Sequence, residues 1–138
     1  MNTFIFQSVS DRFDLRSELH VGETVTWYAT RYQRLMDIGD FVYFWMAGGP
    51  EIRGIYGWGK ILSKPYMKPD WDSHGVDVSC EYYFAKPVLA VDIESQTALK
   101  DMPIFRVRVG TNFRLDEKEA RVLAAFISQK GQTAPRLT

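Results

Sequence analysis

The amino-acid sequence predicts an α+β domain, in which a mostly antiparallel sheet curls toward a small barrel and is flanked by short helices. Two observations lead to this prediction. Short stretches of alternating apolar and polar residues recur along the chain, and clusters of turn residues separate them. Helical patterns between these stretches are brief, and the one long amphipathic pattern lies at 116–127. With 138 residues and no linker or internal repeat, the sequence indicates a single domain with a core at about 4–127.

The first forty residues predict two short strands and two short helices. Residues 4–6 are apolar enough for a strand, and residues 23–29 alternate loosely as a second strand would. A helix at 10–19 has Ser10 as its capping residue. A capping-box pattern precedes a brief helix at 31–38, which Gly39 ends.

A β-hairpin follows, whose turn is Gly48-Gly49-Pro50. Because alternate side chains of a strand face opposite ways, the outgoing strand has two apolar faces. One face carries Phe41, Tyr43 and Trp45, and the other carries Val42, Phe44 and Met46. Both faces must therefore be covered, either by core on each side or by core on one side and a ligand on the other.

The returning strand combines large aromatic residues with glycines. Ile52, Gly54, Tyr56 and Trp58 share one parity, and Ile55, Gly57 and Gly59 share the other. Glycine inside a strand often marks a close approach by another group, so these glycines could leave a slot. Alternatively, the aromatic rings simply fill the barrel and the glycines permit its bend.

The second half of the chain predicts a long loop, three strand segments and a final helix. These elements are a loop at 63–75, a strand at 76–84 with a possible extension at 88–91, a single turn at 95–99, a strand at 104–109, a helix at 116–127 and a frayed tail at 131–138.

Composition excludes several classes of protein. Lys and Arg together number 17, as do Asp and Glu, so the net charge does not indicate a polyanionic partner. Cys80 has no second cysteine with which to form a disulfide, and residues 1–7 lack the features of a signal peptide. No apolar run reaches the roughly 18 residues that a membrane helix requires. A cytoplasmic protein is expected.

An ordered set of motifs gives the chain a resemblance to a known family. The set comprises Trp27, Arg31, the segment 36–45, Gly48-Gly49, the segment 54–61 and Pro65, with the outer segments 5–7, 11–14, 110–113 and 115–120. Together they resemble the EVE domain, a branch of the PUA-like superfamily that also contains the YTH and SRA readers of modified bases. The resemblance covers about residues 4–127 and implies a PUA-like pseudo-barrel.

The resemblance also implies a function. Members of the family are expected to hold a flipped-out modified base, often a cytosine or adenine, in a cage of aromatic rings. On this analogy Trp27 and Trp45 are cage walls, and Trp58 or Trp71 is the lid or third wall. Arg31, Arg106 and Arg108 are candidates for phosphate contacts, and Thr111 and Asn112 for contacts to a base edge or the backbone. Alternatively, Arg106 and Arg108 form a solvated face, and Asn112 is a turn residue after Gly110.

Two positions depart from the family pattern. Val9-Ser10 stands where many relatives carry an Asn-Pro pair after the first strand. Ala47 stands where they carry a serine after the aromatic strand. If that serine contacts a base edge in relatives, this chain lacks the contact.

The sequence and the resemblance thus predict a non-catalytic nucleic-acid-binding module that recognises a modified, flipped-out base in an aromatic cage, without cofactor or metal. Methylated or hydroxymethylated cytosine or methyladenine is the expected base. DNA is the favoured polymer, RNA is possible, and a nuclease or defence-system protein is a possible partner. The alternative is a PUA-like hydrolase of a small modified nucleoside or amide, with Asp70, Asp72 or Lys60 near the pocket. His20, His74 and Cys80 have no metal-ligand spacing, and no Gly-rich phosphate loop is present.

Overall fold

The computed structural model describes residues 1–137, in which seven strands form one mixed sheet. The strands are β1 (Thr3–Ser8), β2 (Thr24–Tyr28), β3 (Phe41–Met46), β4 (Gly54–Ile61), β5 (Tyr66–Lys68), β6 (Ser73–Leu89) and β7 (Asn112–Leu115). The helices are α1 (Leu15–Glu18), α2 (Ala90–Glu94), α3 (Pro103–Arg106) and α4 (Glu117–Gln129), with 3₁₀ turns at Gln33–Leu35 and Pro69–Trp71. The order across the sheet is β2-β6-β4-β3-β1-β7, and β5 pairs with β6.

The sheet is curled into a half-barrel, and the predicted α+β class is confirmed. β1 runs parallel to β3, whereas the other neighbouring strands are antiparallel. The long strand β6 pairs with β2, β4 and β5, so it connects one edge of the sheet to its centre. β1 and β3 end side by side, at Ser8 and Met46.

A hydrophobic core lies on each face of the sheet. The α4-side core includes Tyr43, Trp45, Ile93, Ile104 and Leu123, and the α1-side core includes Phe6, Leu15, Trp27, Val42 and Phe44. The two apolar faces predicted for β3 are therefore confirmed. Core residues cover both faces, which is the alternative without a ligand on either face.

The predicted parity of β4 is wrong at Trp58. Tyr56 lies in the α1-side core, but Trp58 packs against the α4-side core. The register of β4 against β6 shifts between Ile55 and Gly57, and each extra residue at such an irregularity turns the following side chains over. Simple alternation along the sequence does not reveal this shift.

Gly57 and Gly59 do not leave a slot. A Cβ atom at Gly57 would collide with the carbonyl oxygen of Tyr82, and one at Gly59 with that of Ser79. These glycines allow β6 to approach β4 closely at the irregularities. The alternative of close packing and bending is the one that the structure favours.

Three predicted elements differ in the structure. The strand predicted at 104–109 is wrong, because Pro103 begins the short helix α3 and an exposed loop follows it. The first helix begins at Leu15 rather than near Ser10, since the carboxylate of Asp14 accepts the backbone N–H of Arg16 and forms the cap. The helix predicted at 31–38 shrinks to one 3₁₀ turn after Tyr32, whose φ is 60°.

Later segments also differ from the prediction. The loop expected at 63–75 contains β5 and a 3₁₀ turn, and β6 absorbs both predicted strand segments as far as Leu89. Residues 90–94 form α2 ahead of the turn predicted after Ser95. The tail at 131–137 is packed rather than frayed, because Leu137 contacts the α4-side core and the carbonyl of Thr133 accepts a bond from Trp58. Thr138 lies outside the described residues.

Candidate functional site

An open cleft of about 720 Å³ lies where β1 and β3 end. Parallel neighbouring strands finish at the same edge of a sheet, so Gln7, Ser8 and Ala47 meet there. The remaining walls come from β2 at 25–28, from the loops at 9–13 and 108–111, and from Trp71. Its volume is in the range of about 300–1,000 Å³ that is usual for small-ligand sites.

Trp27 forms the fixed wall of the cleft. Its ring stacks on Phe44 with centroids 5.9 Å apart and planes 20° apart, and it also contacts Phe6 and Phe13 at 5.8 and 6.0 Å. Only 6% of the residue is exposed, and its indole N–H has no hydrogen-bond acceptor among residues 1–137. Aromatic contacts on several sides leave this ring little freedom to move.

Trp71 forms a more exposed wall, supplied by the 3₁₀ turn that begins at Pro69. Its ring lies 4.4 Å from that of Tyr28 and 4.7 Å from the ammonium of Lys68. Gly75 provides the space beneath it, because a Cβ there would lie 3.3 Å from Cζ3 of Trp71. The glycine that makes room for a cleft residue is therefore Gly75 in β6. The sequence had suggested glycines of β4 for this role.

The charged groups at the cleft are Arg12, Arg108 and Asp11. The loop that carries Arg108 is braced by Gln7, whose side-chain amide donates to the carbonyls of Arg108 and Gly110 at 3.0 and 2.7 Å. Two guanidinium groups against one carboxylate make the cleft favourable for an anionic ligand, although the chain as a whole is neutral.

Trp45 does not line the cleft, which corrects its prediction as a cage wall. It is fully buried in the α4-side core, with Arg53 over its ring at 5.2 Å and Phe105 edge-on at 5.8 Å. Burial, together with the nearby charge of Arg108, lowers the pKa of Arg53. The register of β3 turns Trp45 to the face opposite Trp27.

Trp58 is likewise outside the cleft, so its prediction as a lid is also corrected. It is half-buried, its ring stacks near Tyr82 at 6.5 Å, and its indole N–H donates to the carbonyl of Thr133 at 2.9 Å. Its surroundings belong to the α4-side core and the chain's last residues. Of the four tryptophans predicted for the cage, Trp27 and Trp71 line the cleft.

Asn112 is fully buried and cannot present its amide to a ligand, which corrects its prediction as a base-edge contact. Its Nδ2 donates to the carbonyl of Tyr28 at 2.9 Å, and its Oδ1 accepts the backbone N–H of Thr30 at 2.9 Å. The side chain therefore ties β7 to the end of β2. Its neighbour Thr111 does line the cleft, as a ligand contact would require.

The three predicted phosphate contacts fall in different places. Arg108 lines the cleft. Arg31 does not; its guanidinium lies 5.1 Å over the ring of Tyr32. Arg106 is exposed on α3, near Glu119. Burial raises the pKa of the Glu119 carboxyl, and the charge of Arg106 opposes that rise.

Several cleft residues escaped the sequence reasoning, namely Gln7, Arg12, Phe13, Tyr28 and Val109. The first three lie in or beside the family's N-terminal motif, which was the available signal. Both departures from the family pattern, Val9 and Ala47, also line the cleft. Two apolar side chains therefore stand in the wall of the cleft at these positions.

The residues named for the hydrolase alternative lie elsewhere. Neither Asp70, Asp72 nor Lys60 lines the cleft. Within the described part of the chain, no three or more His, Cys, Asp or Glu side chains are grouped to hold a metal ion. Burial raises the pKa of the Cys80 thiol to about 11, which keeps it protonated and unreactive near neutral pH.

Comparison with known proteins decides the family. The model of the EVE domain matches residues 2–126. The chain belongs to the EVE domain family. No curated protein matches this EVE domain by sequence. In residues 1–137, no helix is long and apolar enough to cross a membrane.

Solved structures similar to this EVE domain come from distant organisms. A hypothetical protein from Leishmania major has a TM-score of 0.76 at 16% identity, over 96% of this chain and 98% of that one. A protein from Agrobacterium tumefaciens has a TM-score of 0.77 at 16% identity, over 99% and 100% of the two chains. Human THYN1, in complex with DNA containing 5-methylcytosine, has a TM-score of 0.72 at 18% identity, over 91% and 97%. These likenesses confirm the expected PUA-like fold.

Proposed function

We propose that this EVE domain is a non-catalytic module that binds a nucleic acid through one modified base, which is flipped out of its strand into the cleft. The observation that carries the proposal is the pair of tryptophans, Trp27 and Trp71, that come from separate elements and line the same open cleft. Arg12 and Arg108 at the same cleft suit the phosphates on either side of such a base.

The energies favour aromatic walls for this task. Flipping a base costs a few kcal/mol, and stacking on an aromatic ring returns about 1–3 kcal/mol per base. A methyl group on the base adds about 0.8 kcal/mol when buried. Stacking on Trp71, contact with the edge of Trp27 that reaches the cleft, and burial of the modification would together offset a cost of this size.

Val9 and Ala47 make one side of the cleft apolar. A hydroxyl or amino group placed against them would lose its hydrogen bonds to water without replacement. We therefore expect a methylated base to bind better than its hydroxymethylated counterpart. DNA is the favoured polymer because the human relative is in complex with methylcytosine-containing DNA. RNA is the alternative that the test must include.

The test is a binding series with short DNA and RNA, single-stranded and duplex, that carry methylcytosine, hydroxymethylcytosine, methyladenine or plain bases. Trp71→Ala should lower affinity for the preferred modified strand by about tenfold or more, because one stacking contact is lost. Trp58→Phe is the matched control and should leave affinity unchanged, since Trp58 lies outside the cleft. Equal binding of modified and plain strands by the wild type, or full affinity in Trp71→Ala, would contradict the proposal.

Salt dependence tests the phosphate contacts separately. Arg108→Gln should reduce the slope of log affinity against log salt by about 0.7–0.9, which corresponds to one lost phosphate contact. Arg121→Gln on α4 is the control, because its side chain is exposed but pairs with Glu117 away from the cleft. An unchanged slope for Arg108→Gln would remove this residue from the interface.

A further inference from the structure

The loop at 107–110, between α3 and β7, carries an apolar side chain at its tip. Val109 is 85% exposed, the highest value among the exposed large hydrophobic residues of the described chain. It also lines the edge of the cleft. Exposing a valine forfeits about 1.5–3 kcal/mol relative to burying it, so this placement is costly in the free protein.

The position of this tip is fixed by the fold. The amide of Gln7, a residue that is only 9% exposed, donates to the carbonyls on both sides of Val109, at 3.0 Å to Arg108 and 2.7 Å to Gly110. The backbone N–H of Gln7 also donates to the carbonyl of Thr111 at 2.8 Å. Gly110 has a φ of 131°, which a residue with a side chain rarely adopts. The loop is therefore a braced projection that holds Val109 out.

The charges beside the tip indicate what covers it. Arg108 directly precedes Val109 and Arg106 lies two residues earlier; both are exposed, and neither forms a salt bridge within residues 1–137. An apolar tip that directly follows a cationic segment is complementary to a polyanion with an apolar interior. A nucleic-acid duplex has this arrangement, with phosphates outside and stacked bases inside.

We propose that Val109 is a wedge that enters a duplex at the gap left by the flipped base, while Arg108 contacts a neighbouring phosphate. The inference rests on the proposed function, because the wedge has a purpose only if a base enters the adjacent cleft. Apolar side chains that enter between base steps stabilise unstacked DNA in other protein classes. Here the wedge and the cleft share the residues 108–111, so one docking event engages both.

The wedge predicts a difference between duplex and single strand. A single strand has no stack to fill, so replacing Val109 should weaken duplex binding more than single-strand binding. Val109→Ser should lower affinity for a duplex that carries the modified base by about tenfold, because the buried methyl contacts are lost. Its affinity for the single strand with the same base should fall by much less, because there Val109 contributes only an edge of the cleft. Val21→Ser, at a site 60% exposed and outside the cleft, is the matched control for surface valines.

A fluorescent base analogue next to the modified base gives an independent readout of flipping. Binding of the wild type to the duplex should increase the emission of the base analogue, and binding of Val109→Ser should not. Equal loss of duplex and single-strand affinity in Val109→Ser, or no loss in either, overturns the wedge. The proposed function fails by a different result, which is absence of any preference for the modified single strand in the wild type.

Discussion

Replacing Trp45 by alanine should destabilise the fold and leave ligand recognition intact. Trp45 is fully buried in the α4-side core and does not line the cleft. A cage wall would behave in the opposite way, with binding lost and stability nearly kept. The variant therefore separates the two roles that the sequence alone left open for this residue.

The size of the effect follows from the contacts of Trp45. Truncating a buried tryptophan to alanine costs about 3–5 kcal/mol, and the lost contacts to Arg53 and Phe105 add about 0.5–1 kcal/mol each. Against this, the indole N–H of Trp45 has no acceptor in the described chain, and removing such a buried group returns about 1–3 kcal/mol. The net loss should be about 3 kcal/mol in the free energy of unfolding.

Urea unfolding followed by circular dichroism measures this loss without relying on tryptophan fluorescence. Trp45→Phe is the matched variant, because it keeps an aromatic ring and deletes the unpaired N–H, and it should stay within about 1 kcal/mol of the wild type. Affinity for a modified strand should be unchanged once each variant is folded. The assignment of Trp45 to the core would be wrong if Trp45→Ala kept full stability but lost binding.

Two further predictions concern buried polar groups. Asn112→Ala should lower the free energy of unfolding by about 2–4 kcal/mol, since the carbonyl of Tyr28 and the N–H of Thr30 lose their partner. Urea unfolding measures this loss, with Thr111→Ala as the control. Equal stabilities of the two variants would contradict the prediction. Burial raises the pKa of the Cys80 thiol from 9.0 to about 11, so the thiol stays protonated to higher pH in the folded state than in the unfolded state. The free energy of unfolding should therefore fall from pH 9 toward pH 11. Urea midpoints across that range should fall less steeply in Cys80→Ala, and an identical slope would exclude Cys80 as the cause.

Local rules were sufficient where a few neighbouring residues determine the structure. The final helix was predicted at 116–127 and is observed at Glu117–Gln129, where a capping box begins it: Asp116 accepts the N–H of Glu119 at 2.7 Å and Glu119 accepts that of Asp116 at 3.0 Å. The two apolar faces of β3 were equally predictable, because side-chain direction in a regular strand depends only on parity.

The rest depended on contacts between distant segments. Parity separated Trp45 from Val42 but could not say which face adjoined a cleft, since both faces are apolar. The alternating pattern at 104–109 indicated a strand, yet Val107 and Val109 are both exposed because no other segment of residues 1–137 packs over the loop. Asn112 was assigned to the ligand because its true partners, Tyr28 and Thr30, lie more than eighty positions away in the chain.

The double-sided core of the sheet has an evolutionary consequence. Val9, Ala47, Trp71 and Val109 all lie outside the two cores, on segments at one end of the sheet. These four side chains can therefore be exchanged to change what the cleft binds, while the residues that hold the chain together stay the same. Such a division lets one scaffold accommodate different cleft surfaces at little thermodynamic cost.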